Sequence, residues 1–164
     1  MTTIDAPPEA PAVGYDVPDS PINWLILEAS EARFQFESLD RWVNFLRTAY
    51  GLPPTILPPL WHRHDELIWE LSALHQHWLN CYDASASPSA PLQWHQDFAL
   101  ARERLRDWVA VNGSRLDRDR PTRITTWPGE RPFATADEVP VVDRAEDFRL
   151  FVDQDSAERE RLQR

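Results

Sequence analysis

The chain has 164 residues, a net charge of −10 and a single cysteine, Cys81. That length suits one domain able to bury a core unaided, and one thiol excludes an internal disulfide framework and a zinc–thiolate cluster. All 17 basic residues are arginine, so no lysine is available for a Schiff base or a phosphate-binding loop.

Residues 1–21 carry five prolines and few large apolar groups. They read as a disordered acidic tail, with neither the basic start nor the apolar run of a signal peptide. No apolar stretch approaches the roughly 20 residues of a membrane span, so a cytoplasmic protein is expected. Residues 22–32 open on an apolar cluster that includes Trp24 and Leu25. This segment is either a short docked helix or a recognition segment for a partner.

The helical domain is expected over residues 22–113. Ser38 as N-cap and Gly51 as the stop predict a first helix over about 38–50, with Leu39, Trp42, Val43, Leu46 and Tyr50 on one stripe. Four prolines in residues 52–59 end it. Residues 60–82 contain no Gly or Pro, and hold three of the eight tryptophans and four of the five histidines. They predict one long helix whose stripe includes Leu67, Leu71, Leu74 and Trp78. Trp69 points away from that stripe, beside His62. It is either an outward binding anchor or is covered by residues 22–27 or by the C-terminal segment. A third helix is expected over about 92–112, with Trp94, Phe98, Ala101, Leu105, Trp108 and Val109 inward and Gly113 as its stop. The fold class is therefore mainly α: a small bundle of three amphipathic helices.

Residues 114–164 read as an arginine-containing loop followed by an irregular acidic extension. Within it, residues 123–127 are candidate extended chain and residues 139–142 a short strand. Residues 145–152 and 156–163 show only weak helical periodicity.

Chemistry is weighed group by group. His62 and His64, like His75 and His77, are two apart and diverge by about 200° on a helix, so no metal site is expected. His64 and His75 read as hydrogen-bonded bundle residues, and His62 with Glu66 as an i, i+4 pair. Cys81 lies four residues from His77, but near a helix C-terminus, where the dipole opposes a thiolate. No catalytic residue and no cofactor is therefore expected. The candidate binding residues are Trp69, His62, Trp24 and Leu25, together with Arg115, Arg118, Arg120, Arg123 and Trp127. The last five would contact phosphate and stack on a base.

The strings FESLDRWVNFLRTAYG, LWHRHDELIWELSALHQHWLNCY and LQWHQDF resemble a family of uncharacterised Trp-rich domains of actinobacterial plasmids, phages and integrative elements. The matching positions are Trp42–Val43, then Trp61, His64, Leu71, Leu74 and Trp78, then Trp94 and Asp97, within about residues 34–105. Residues 57–60 lack the second Trp or Cys-Trp pair that members usually carry. That family has no agreed activity, so the resemblance implies no catalytic residues. It implies an accessory protein of an actinobacterial mobile element, in keeping with the arginine-only composition. The expected function is that of a non-enzymatic adaptor acting through a protein partner. The alternatives are an acidic DNA mimic that inhibits a DNA-binding enzyme, and a nucleic-acid-contacting factor using residues 115–131.

Overall fold

The computed structural model describes residues 20–134 and 137–164. The first helix, α1 (Ala29–Tyr50), starts nine residues earlier than Ser38 suggests. Glu28 and Glu31 supply the reason, because they form a reciprocal capping box that satisfies the first free amides. Ala29, Ala32 and Phe36 then extend the buried stripe of Leu39, Trp42, Val43 and Leu46 toward the N-terminus. Gly51 closes α1 in the left-handed region (φ 59°), donating its amide to the Arg47 carbonyl.

The proline-rich segment 52–59 belongs to the core as well as linking helices, because Leu52, Ile56, Leu57 and Pro58 are all buried. It leads into a 3-10 turn, Trp61–Arg63, and then α2 (Asp65–Cys81). The single helix expected over residues 60–82 is thus split at His64, whose backbone is extended. The stripe of Leu67, Leu71 and Leu74 survives because it lies wholly within α2. The third helix, α3 (Ala90–Asn112), buries Trp94, Phe98, Ala101, Leu105 and Val109 at three- and four-residue steps and stops at Gly113 (φ 76°).

The C-terminal extension departs from the expected irregular chain. Residues 144–162 form one helix, α4 (Arg144–Leu162), capped by the Asp143 side chain on the Glu146 amide. Its apolar face is narrow, with only Phe148, Val152 and Ser156 buried, and that is why its periodicity is weak. Polar bonds from distant residues hold it instead. Arg144 pairs with Asp40, Arg33 with Asp153 at 2.9 Å, and Arg159 donates to the Trp24 and Leu27 carbonyls.

The bundle is mainly α, with four helices among the described residues; α2 packs on α3 and α4 on α1. Two short strands, β1 (Arg118–Asp119) and β2 (Val139–Pro140), pair antiparallel with Asp119 opposite Val139. The strand expected at residues 139–142 is present for its first two residues, whereas residues 123–127 form no strand. The acidic tail lies outside the described residues, apart from residues 20 and 21.

The aromatic rings are concentrated in the core. Trp94 stacks on Phe98 at 4.7 Å, Trp42 on His75 at 4.9 Å, and Trp24 lies 4.3 Å from Phe36. Rings of this size dominate the apolar area of a small domain. Among the described residues, no helix is long and apolar enough to cross a membrane.

Candidate functional site

The segment before α1 is fixed in place. Trp24 is buried against Phe36, so it is a core residue and not the exposed anchor expected of it. The Ile22 amide donates to Gln76 Oε1 (3.1 Å), and the Ile26 amide closes a turn on the Asn23 carbonyl. Arg159 clamps the turn from α4 through the carbonyls of Trp24 (2.9 Å) and Leu27 (2.8 Å). The two side chains between these anchors point outward: Leu25 is 83% exposed and Ile26 76%. Beside them a surface cavity of about 460 Å³ is lined by Ile22, Leu27 and Phe34 among others, and Phe34 is itself exposed. The result is a partly apolar surface, its cavity lined also by Ser30, Glu31 and Gln35, over a turn whose backbone is hydrogen-bonded from beneath.

His62 is not available to a partner, because it is fully buried. It does not pair with Glu66, since residues 61–63 precede α2 and the helical four-residue spacing does not apply. Its Nε2 lies 2.6 Å from Asp147 Oδ1 on α4, and Arg63 binds the same carboxylate. The rings of Phe148 and Phe151 flank it at 5.2 Å. Its Nδ1 is buried with no partner among the described residues. A proton there would be an unmatched buried donor, so the neutral Nε2–H tautomer is favoured. Burial pushes the His62 pKa down to about 4; the bond to Asp147 opposes this, while Arg144 and Arg63 reinforce it. Burial raises Asp147, but bonds from Arg63 and His62 outweigh it and hold that carboxyl below its ordinary value.

His64 has a separate set of partners. Its Nε2 meets Asp119 Oδ1 at 2.7 Å and its Nδ1 meets Thr122 Oγ1 at 2.8 Å. The Ser114 hydroxyl donates to Asp119 at 3.0 Å, and Thr122 donates to Glu66 at 2.9 Å. His64, Asp119, Ser114 and Asn112 are all buried. The cluster pins the segment after α3 to the start of α2, and the hydrogen bonds expected of His64 come from this segment. Among the described residues His75 forms no such bond; it stacks on Trp42, and burial, aided by Arg41, lowers its pKa to about 4.

The third histidine centre adds a carboxylate to a pair already apparent from spacing. His77 Nε2 bonds Asp97 Oδ2 at 2.8 Å, and Cys81 Sγ lies 3.8 Å from Nδ1 and 3.9 Å from Nε2. A sulfur equidistant from both ring nitrogens aligns with neither lone pair, so the imidazole is poorly placed to take the thiol proton. Burial pushes the Cys81 thiol pKa up, and Asp97 adds to the shift. His95 bonds the Tyr50 hydroxyl at 2.9 Å and the Pro91 carbonyl.

No family model, curated protein or solved structure matches the chain. What it can do must be read from its own surface.

Of the arginine loop, Arg118 and Arg120 both bind Glu138, at 3.0 and 2.7 Å, so their charges are already answered. Arg115 and Arg123 are exposed and have no carboxylate within ion-pair distance among the described residues; Trp127 is 70% exposed. With Arg131, likewise exposed and without an ion pair among the described residues, the loop presents three uncommitted guanidiniums and one ring. Trp69 is 40% exposed, which leaves it partly covered at the surface. The acids of α4 are largely paired: Glu146 and Asp153 with Arg149, Asp155 with Arg159, and Glu158 with Arg161. Glu138, which neutralises two of the candidate arginines, had no signal in the sequence beyond its charge.

Proposed function

We propose that this chain is a non-enzymatic accessory protein that binds a protein partner through the turn carrying Leu25 and Ile26. The resemblance of residues 34–105 to uncharacterised Trp-rich domains of actinobacterial mobile elements supports an accessory role in such an element. One observation supports the reading above the others: two large apolar side chains are exposed on a turn whose neighbours are buried and clamped. Exposed apolar groups on a mobile segment would pay an ordering cost on binding. A turn already held by Trp24, Gln76 and Arg159 avoids most of that cost, as binding hot spots do. The adjoining cavity lined by Ile22, Leu27 and Phe34 gives a partner side chain a place to insert.

Internal ion pairs weaken the alternatives. A DNA mimic needs aligned, unpaired carboxylates, and those of α4 are largely shared with arginines. A nucleic-acid contact through residues 115–131 would rest on Arg115, Arg123, Arg131 and Trp127, since Glu138 occupies Arg118 and Arg120.

The test is affinity capture of the whole chain from an actinobacterial host, comparing the native protein with Leu25→Asp/Ile26→Asp. Both side chains are exposed, so stability should shift by no more than about 0.5 kcal/mol per site. The bound partner should be lost by at least ~10-fold, as for hot-spot residues. An identical set of partners retained by the variant would refute the reading, and Trp69→Ala tested in parallel reports on the other face.

A further inference from the structure

A second concave site lies apart from the N-terminal turn, between α1, the proline segment and the start of α4. We propose that this cleft binds a small apolar molecule carrying one carboxylate or comparable anion. The cleft measures about 420 Å³, within the roughly 300–1,000 Å³ of small-molecule sites. Val43, Leu57 and Trp61 line it and are all buried side chains, so its interior suits an apolar body. Pro54, Pro58 and Pro59 also line it. Proline holds φ near −65°, so this wall needs little ordering when a ligand enters.

Two arginines border the cleft, and they differ in a way that selects the ligand. Arg144 is committed: its guanidinium pairs with Asp40 and donates to the Pro59 carbonyl at 3.2 Å. Arg47 is exposed, and no carboxylate lies within ion-pair distance of it among the described residues. A free guanidinium at the edge of an apolar cleft favours an anionic head group, with two N–H donors aimed at one carboxylate. Apolar interior, rigid wall and one unanswered cation together describe a medium-chain or aryl carboxylate. They describe neither a neutral lipid nor a polyanion such as nucleic acid.

The experiment titrates the whole chain with octanoate and, separately, with octanamide, following heat and backbone amide shifts. Octanoate should bind at one saturable site with a Kd near or below about 1 mM, with shifts centred on Val43, Arg47, Leu57 and Trp61. Octanamide, of the same length without the charge, should bind at least ~10-fold more weakly. Arg47→Gln, at an exposed position, should erase the difference between the two probes while leaving the fold intact. Asn44→Phe, which narrows the cleft from its half-buried edge, should weaken both. Non-saturable binding, equal affinity for the two probes, a difference that survives Arg47→Gln, or shifts centred on Ile22 and Phe34 would each overturn the proposal. Those outcomes are independent of whether Leu25 and Ile26 bind a protein.

Discussion

Lowering the pH from 7 to 4 should destabilise the fold by about 6 kcal/mol through His62 and His75 alone. Each has a folded-state pKa of about 4 against an ordinary value of 6.5, and burial is the main cause in both. A histidine whose folded pKa is depressed stays neutral in the native state while the unfolded chain takes up a proton. The unfolded state therefore binds more protons below pH 6.5, and stability falls as the pH drops toward 4. At about 1.36 kcal/mol per pKa unit, the two shifts contribute about 3 kcal/mol each. That total rivals the roughly 5–15 kcal/mol stability of a typical domain, so unfolding near pH 4 is the expected result. Asp147, held below its ordinary value, adds a loss of the same sign at the acid end. Denaturant titrations at pH 7, 5.5 and 4, read by helical circular dichroism, measure the effect. His62→Gln can still donate to Asp147 but does not titrate, so it should remove about half of the acid sensitivity. A midpoint unchanged between pH 7 and 4.5 would contradict the assignment of both rings as buried and neutral.

Asp119→Ala should cost about 2–5 kcal/mol, since each buried donor it leaves without a partner costs roughly 1–3 kcal/mol. Asp119 is 3% exposed and accepts from both His64 and the Ser114 hydroxyl. Truncation removes the main acceptor of His64 Nε2 and leaves the Ser114 hydroxyl only its longer contacts with the Arg120 carbonyl (3.3 Å) and His64 (3.4 Å). The loss should also be local before it is global. Asp119 belongs to β1, whose partner among the described residues is β2, and Val141 donates its amide to the Asp117 carbonyl at 2.9 Å. Hydrogen exchange should therefore rise first across residues 114–122 and 139–141, while α2 and α3 keep the protection set by the remaining global stability. Asp119→Asn retains an acceptor of the same size and should lose markedly less. A loss under about 1 kcal/mol in Asp119→Ala, no more than a typical single hydrogen bond, would show that the cluster does not hold this segment.

Both effects involve residues that periodicity places on a helix but that chain geometry turns elsewhere. Reading residues 60–82 as a continuous helix sets His62 beside Glu66 on one face. The chain instead runs through a 3-10 turn and an extended His64 before α2 begins, and each histidine reaches a carboxylate far away in sequence. Neither ring lies on an α-helix, so an angle taken on one did not apply to them and gave no route to Asp147 or Asp119. Trp24 and Leu25 show the same limit on a smaller scale. They are neighbours in one apolar cluster, yet Phe36 covers the first and solvent surrounds the second.

Apolar residues repeating at three and four, closed by Gly51 and Gly113, suffice to place the cores of α1, α2 and α3, because burying a stripe on a helix is a local periodic demand. The mainly α class follows from that repeat, as does the inward role of Trp42, Trp94 and Leu105. The fourth helix could not be found in this way. Only three of its side chains are buried, and its attachment comes from Asp40, Arg33, His62 and Arg63, with which it shares no sequence neighbourhood. The same holds for every candidate surface. Whether an apolar side chain is core or anchor, and whether an arginine is free or already paired, depends on which distant chain packs over it. Local pattern specifies helices; only the packed structure decides which groups remain open to bind.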